Sequence, residues 1–284
     1  MAHLEGTGVF TSARKIGNHA SDIARTAEEL GYTAIWVADV RGELTVLGDL
    51  VEATERIHAG SAILSMWDLA AKDAALAWAA ANSRGPGRVL MGVGVSHSAL
   101  VERAGYVYDK PLTRLKSYLD ELDLLECGIP CEQRMIGANG PKMLQLAGER
   151  TAGALTYLVT PEQTAVHRNR LGPEGLLAPE VKVALATDRA HSRDIAREHL
   201  ALYLTLPNYL RNLEQMGFTA ADFADGGSNR LLDALVVGPD VEDVVRRIGE
   251  HRDAGADHVC LHVLGAGDSV PLDHWRELAT AVCP

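Results

Sequence analysis

Gly92 and Gly94 fall inside the run Gly87-Arg88-Val89-Leu90-Met91-Gly92-Val93-Gly94-Val95, directly ahead of Ser96 and His97. Glycine within a strand gives up stability unless something must approach the backbone closely. A flat ring lying against the strand end is one such reason and tight packing of a neighbouring strand is another; the spacing alone does not separate them. His97 follows in a polar loop, where an imidazole could move a proton near neutral pH or could simply be solvated. A second segment, Met135-Ile136-Gly137-Ala138-Asn139-Gly140-Pro141-Lys142, leads small residues out of a strand and into a helix. The first-turn amides of that helix suit a phosphate or another anion, with Lys142 as counter-charge, unless the segment is an ordinary strand-to-helix turn. His258 and His262 share one face of a further run by period-two alternation. If that face points inward, His262 lies near the open end and His258 lies deep and structural. No carboxylate accompanies them at ligand spacing, so no metal site is expected.

These residues need elements to hold them. Short apolar runs alternate with amphipathic stretches along the whole chain, the pattern of parallel β/α units. Runs are read at Gly8–Phe10, Ala34–Val37, Ala59–Leu64, Arg88–Val95, Arg134–Ala138, Ala154–Val159, Val181–Ala186 and His258–Leu264. Between them helices are expected, among others from Asn18 to Leu30 with a stop at Gly31, and from Val241 to Ala254 closed by Gly255. Thr160-Pro161-Glu162 reads as N-cap, proline at the first helical position and acid at the second. Eight strands with intervening helices count out a (β/α)8 barrel, with an eight-stranded doubly wound sheet as the alternative. The Pro/Gly-rich patches at Gly85–Gly87 and Leu171–Pro179 are loop-sized, so residues 1–284 are expected to form one domain. In a barrel the site belongs at the C-terminal strand ends. That rule selects Phe10 to Ser12, Asp39 to Arg41, Ser65 to Trp67, Ser96 to Ser98, Asn139, Gly140, Tyr157 and His262.

Composition bounds the function. A net charge of −11 leaves no basic stripe to neutralise phosphates, which argues against nucleic acid and against anionic membranes. The longest apolar stretch, Ala74 to Ala81, is too short to span a bilayer, and Met1 to Gly8 lacks a leader's basic and apolar regions; a cytoplasmic location is expected. Cys127 and Cys131 flank Gly-Ile-Pro while Cys260 and Cys283 lie far away, so no zinc spacing exists and reduced, mostly buried thiols are expected.

Several segments taken in order resemble the luciferase-like monooxygenase superfamily. They are Ala27-Glu28-Glu29-Leu30-Gly31-Tyr32 with Ile35-Trp36-Val37, Glu55-Arg56-Ile57-His58-Ala59-Gly60, and Gly87-Arg88 leading into Leu90 to Gly94. Gly137 to Leu144 and Gly255-Ala256-Asp257-His258-Val259 carry the similarity almost to the C-terminus. The chain is most similar to the actinobacterial branch of coenzyme F420-dependent oxidoreductases. The resemblance implies a bacterial-luciferase-like barrel holding an isoalloxazine or deazaflavin ring against the third and fourth strand ends, over a non-proline cis peptide at Ala62–Ile63. It implies a cofactor tail near Gly137, Ala138, Asn139, Gly140 and Lys142, ring contacts at Asp39, Gly94 and Ser96, and His97 on the reacting face as the catalytic acid–base. Phe10, Val40, Trp67, Tyr157 and His262 would line the substrate pocket.

Two departures stand out. Dehydrogenases of this superfamily place a histidine directly after the second-strand aspartate, and here that position is Val40. The stretch from Lys110 to Gln133 is also short, which implies a trimmed mid-barrel insertion, a short lid and an open pocket. The leading expectation is hydride transfer between coenzyme F420 and a small organic substrate. An FMN-dependent monooxygenase using O2 is the alternative, and a non-catalytic flavin-binding barrel is the reading from another class. A homodimer is left open against a monomer.

Overall fold

The computed structural model describes residues 4–42 and 44–283; the first three residues of the stretch read for a leader lie outside the described residues. Ten strands form one parallel sheet: β1 (Gly6–Ser12), β2 (Ala34–Ala38), β3 (His58–Ser61), β4 (Leu64–Ser65), β5 (Val89–Gly94), β6 (Arg134–Gly137), β7 (Gly153–Thr156), β8 (Leu176–Val183), β9 (Val236–Val237) and β10 (His258–Val263). The order β10-β1-β2-β3-β5-β6-β7-β8 returns on itself, because Glu180 on β8 pairs with Cys260 on β10. That closure makes an eight-stranded barrel and excludes the doubly wound sheet. β4 and β9 are two-residue additions to β5 and β8.

Sequence chemistry explains most elements. β5 and β8 are buried along their full length, as expected of parallel strands covered on both faces. Gly31 and Gly255 take φ of 86° and 98° directly after their helices, a left-handed stop that suits glycine. The Thr160 hydroxyl accepts from the Gln163 amide, and Pro161 opens helix Pro161–Leu171.

Three expectations require correction. The seventh barrel strand is Leu176–Val183 rather than Val181–Ala186. Pro179, read as loop, lies inside it opposite Thr156. The run read as Ala59–Leu64 is interrupted, with β3 and β4 separated by a cis peptide between Ala62 and Ile63. Cys127 and Cys131 are exposed, while Cys260 is buried; all four thiols are free. No helix among the described residues is long and apolar enough to cross a membrane.

Apolar burial divides into an outer and an inner core. The outer core packs helices onto the barrel wall through residues such as Ile35, Val37, Leu47, Val93, Leu119 and Trp275. The inner core fills the barrel itself with Leu4, Trp36, Leu90, Met135, Leu176, Ala178 and Cys260. Trp36 dominates it: its indole N–H donates to His258 Nε2 at 3.0 Å, wholly buried. The surrounding glycines exist for this pair. A Cβ on Gly60 would lie 2.3 Å from the Trp36 ring, and one on Gly8 would lie 2.6 Å from His258 Nε2. A third cluster, not foreseen, packs helices Arg189–Leu200, Pro207–Gln215 and Asn229–Leu235 through Leu200, Tyr209, Leu213, Phe218 and Leu231. It supplies cover on the side after β8, whereas the short Lys110–Gln133 stretch supplies helix Pro111–Leu124.

Three fully buried histidines make this fold acid-sensitive. Burial pulls His167 down to about 4 and His251 and His258 down to about 3, so all three stay neutral in the folded state. Unfolding returns each to its ordinary value near 6.5, so below that pH the unfolded chain binds more protons and stability falls as pH falls. Each contributes a slope of up to about 1.4 kcal/mol per pH unit. Urea titrations between pH 7 and 5 should show a steadily falling midpoint; a flat profile over that range would mean that these histidines are not held neutral.

Candidate active site

The glycines and the bulky Trp36 set the shape of the interior. Trp36 floors a cavity of about 800 Å³ that opens at the C-terminal strand ends. Its walls differ chemically.

One wall is flat and apolar. The Ala62–Ile63 peptide is cis, and the Ile63 side chain lies across the strand ends of β5 and β6. A Cβ on Gly94 would come within 2.6 Å of Ile63 Cδ1, and one on Gly137 within 3.1 Å of Ile63 Cγ2. Both glycines therefore make room for Ile63, and both also face the cavity. Gly92 is different: its Cβ would fall 2.1 Å from the Ser61 carbonyl oxygen, so strand packing accounts for it. Beyond Gly137 the wall runs through Ala138 and Asn139 to Gly140, which caps helix Pro141–Arg150. A Cβ on Gly140 would meet nothing within 4 Å, so the space before that helix start is open. Asn139 is pinned, because its Nδ2 donates to the Tyr157 carbonyl at 2.7 Å while its Oδ1 accepts from the Tyr157 amide at 3.2 Å.

The opposite wall is charged. Glu180 on β8 and His262 on β10 line the cavity, and Lys182, fully buried on β8, pairs with Glu180. Glu180 Oε1 accepts from Lys182 Nζ at 2.9 Å and from His262 Nδ1 at 2.6 Å. Burial alone would raise the Glu180 carboxyl, but the Lys182 charge and the hydrogen bonds from His262 and Lys182 outweigh it and hold it at about 2. Burial pulls the Lys182 ammonium and the His262 imidazole downward, with Glu180 opposing in both cases. Lys182 Nζ also sits 3.6 Å from the Tyr157 ring centroid, a desolvated cation–π contact. The Tyr157 hydroxyl bonds that of Tyr203, and burial drives Tyr157 well above its ordinary value.

The roof comes from the segment after β8. Tyr203, Leu206, Asn208, Tyr209 and Arg211 line the cavity from the 3-10 turn Tyr203–Thr205, the residue after it and helix Pro207–Gln215, and Leu100 and Tyr108 line it as well. His97 is tied to this roof. Its Nδ1 bonds Asn208 Nδ2 at 2.9 Å and its Nε2 bonds the Tyr209 hydroxyl at 3.2 Å. Asn208 Nδ2 can only donate, so Nδ1 accepts and Nε2 carries the proton. Burial keeps this imidazole below its ordinary pKa.

Most of the residues singled out from sequence meet at this cavity: Phe10, Asp39, Ala62, Ile63, Gly94, Ser96, His97, Gly137, Ala138, Asn139, Gly140, Tyr157 and His262. Arg41, Ser65, Met66 and Ser98 do not line it, nor do Val40, Trp67 and Lys142. Val40 is buried in the outer core, since the left-handed turn at Asp39 (φ 55°) sends the next side chain back under the wall. Trp67 is held outside by its indole N–H, which donates to the Val95 carbonyl at 2.8 Å, and by Arg114 above its ring. Lys142 is exposed on the first turn of its helix and is not part of the cavity lining. Glu180 and Lys182 were missed. An acid and a base two residues apart in an otherwise apolar strand are the signal that could have found them. Nothing local marks Tyr203, Asn208, Tyr209 or Arg211.

The closed parallel barrel has counterparts among known proteins. The family of luciferase-like monooxygenases matches residues 7–128. The chain has the fold of the luciferase-like barrels. A 5,10-methylenetetrahydromethanopterin reductase of Archaeoglobus fulgidus is 24% identical, over 83% of this chain and 86% of that protein. The coenzyme F420-dependent tetrahydromethanopterin reductase of Methanopyrus kandleri superimposes with a TM-score of 0.79 at 17% identity, covering 99% of both chains. The oxygenating constituent of 3,6-diketocamphane monooxygenase of Pseudomonas putida, solved with FMN, gives a TM-score of 0.71 at 12% identity, covering 99% of this chain and 98% of that one.

In this luciferase-like barrel His97 is a strap between the loop after β5 and the roof helix. Removing both of its hydrogen bonds with His97→Ala should cost about 1–3 kcal/mol. Amide exchange across residues 207–215 should quicken relative to the barrel strands. Unchanged exchange in that helix would show that the strap does not hold it.

Proposed function

We propose that this luciferase-like barrel is an oxidoreductase that holds the deazaflavin of coenzyme F420 in its cavity and exchanges hydride with a small organic substrate. The observation that carries the reading is the flat wall itself. Ile63 spreads over Gly94 and Gly137, and the wall continues without a side-chain obstruction to the open helix start at Gly140. A planar tricyclic ring fits against Ile63, and an anionic tail fits the open space before the helix start at Gly140. Ala62, Ile63, Gly94 and Gly137 would hold the ring; Ala138, Asn139 and Gly140 would hold the tail; Asp39 and Ser96 border the ring's edge. When bound, the cofactor supplies the hydride chemistry.

The chain's own residues do the rest. Trp36 closes the floor, the tyrosines and Leu206 close the roof, and together they keep bulk water from the reacting centre. The polar wall of Glu180 and His262, with Lys182 paired to Glu180, faces the apolar one across the cavity, which leaves the space between them for substrate. One of the neighbours named above is described as a coenzyme F420-dependent reductase, which supports the deazaflavin reading. The FMN-bound neighbour keeps a flavin monooxygenase as the second reading.

Fluorescence titration of the purified chain with F420 and with FMN separates these readings. Saturable binding of F420 in preference to FMN is expected; the reverse preference favours the monooxygenase, and binding of neither favours a barrel without redox chemistry. Gly94→Val should then displace Ile63 into the ring's place. Cofactor binding should weaken at least tenfold, while overpacking costs about 1–3 kcal/mol of stability. Loss of folding and binding in equal measure would return Gly94 to a packing role alone.

A further inference from the structure

Two histidines reach the cavity, and their hydrogen bonding assigns them different work. His97 has a partner on each ring nitrogen. His262 has one, on Nδ1. A carboxylate can only accept, so the 2.6 Å contact fixes the proton on His262 Nδ1 and leaves Nε2 with an unshared pair. Among the described residues no group bonds Nε2, and it is not among the buried orphan atoms, so it faces the open cavity. The ring is held from both sides: Phe10 stacks on it at 4.3 Å between centroids and His199 meets it edge-on at 5.2 Å.

The arrangement has three parts with separate tasks. Lys182 keeps Glu180 ionised in a buried place, Glu180 selects the tautomer of His262, and His262 presents a basic nitrogen to whatever occupies the cavity. A carboxylate that orients an imidazole in this way makes it a general base rather than a mere hydrogen-bond donor. A solely structural ion pair would not need to leave one imidazole nitrogen bare at the cavity surface.

We propose that His262 is the acid–base residue of this site, oriented by Glu180, and that it takes substrates carrying a hydroxyl on the reacting carbon or, in reverse, the matching carbonyl. The proposal rests on the oxidoreductase reading above. In the oxidative direction the substrate C–H bond breaks with its electron pair leaving as hydride to the oxidised deazaflavin. The O–H bond breaks with its proton passing to His262 Nε2, and the C=O bond forms. In the reductive direction the imidazolium returns that proton to the carbonyl oxygen. His97 then positions the roof, and Val40 offers no proton acceptor.

Groups facing His262 from every packed element set its pH response. These are Glu180 and Lys182 on β8, Cys260 on its own strand, His199 from helix Arg189–Leu200, and Lys15 beside β1. Burial pulls His262 below its ordinary value, with Lys182 and Lys15 adding to that and Glu180 opposing it. His262 is therefore neutral, and competent as a base, at neutral pH. Removing the Glu180 charge should lower its pKa further and move the acidic limb of an oxidation profile to lower pH.

The test starts without cofactor. Nitrogen-15 spectra of histidine-labelled protein, with the His262 signals assigned through His262→Gln, should show Nδ1 protonated and Nε2 bare at pH 7.5. Glu180→Gln should erase that tautomer preference. If the lone Lys182 charge then prevents folding, the double variant Glu180→Gln/Lys182→Met removes it and serves the same purpose. Protonation of Nε2 in the wild-type chain, or a tautomer indifferent to Glu180, overturns the dyad. The second arm follows F420 reduction with a panel of small secondary alcohols. His262→Gln should lower single-turnover rates by about a hundred- to ten-thousand-fold and abolish the acidic limb, with F420 affinity held within threefold. Wild-type rates in His262→Gln, or no reduction by the wild-type chain with any alcohol while F420 binds, overturns the proposal. Failure to bind F420 instead strikes the cofactor reading and leaves the tautomer result to stand or fall separately.

Discussion

The interior of a closed eight-stranded barrel has room for only a few large side chains, and Trp36 takes most of it. Its indole is satisfied by His258 at the bottom of β10, which removes the penalty of burying an N–H without a partner. Gly8 and Gly60 give way to this pair, so the lower half of the barrel is solid. The upper half, where Gly94 and Gly137 leave only Ile63 to fill the wall, is hollow. Where the tryptophan sits decides where a ligand can sit.

Above that floor the cavity is polarised across its width. Small apolar residues and main chain make one side. Glu180, held by buried Lys182, and His262 make the other, with three tyrosines beside them. An ion pair this deep adds little stability in itself, because both charges lose their hydration. Its retention in a wall that otherwise excludes water fits a task at the cavity rather than one in the core. The aromatic contacts reduce the cost: Lys182 lies on the Tyr157 ring, and His262 lies between Phe10 and His199.

The roof shows how two segments far apart in sequence become one surface. Tyr209 packs in the satellite core and also bonds His97, so the segment that covers the cavity is anchored to the loop leaving β5. The polar loop position of His97 is the same whether it catalyses or braces. Its two hydrogen bonds indicate bracing, and they come from Asn208 and Tyr209, more than a hundred residues along the chain.

The alternation of apolar runs and helices, the capping residues at Thr160, Gly31 and Gly255, and the glycines of β5 and β6 were legible in the chain, because each reflects local backbone chemistry. So was the break at Ala62–Ile63, through the resemblance to luciferase-like sequences rather than through any local preference. The start of β8 was misplaced because Pro179 and the glycines before it resemble a loop until closure against β7 and β10 holds them extended. Val40, Trp67 and Lys142 sit at permitted positions along the chain, but a left-handed turn, an indole hydrogen bond and an exposed helix turn carry them away from the cavity. The union of Glu180, Lys182 and His262 was decided by the tertiary structure alone. Residues on β8 and β10 become neighbours only when the last strand closes the barrel, and no spacing within either strand encodes which charge will face which.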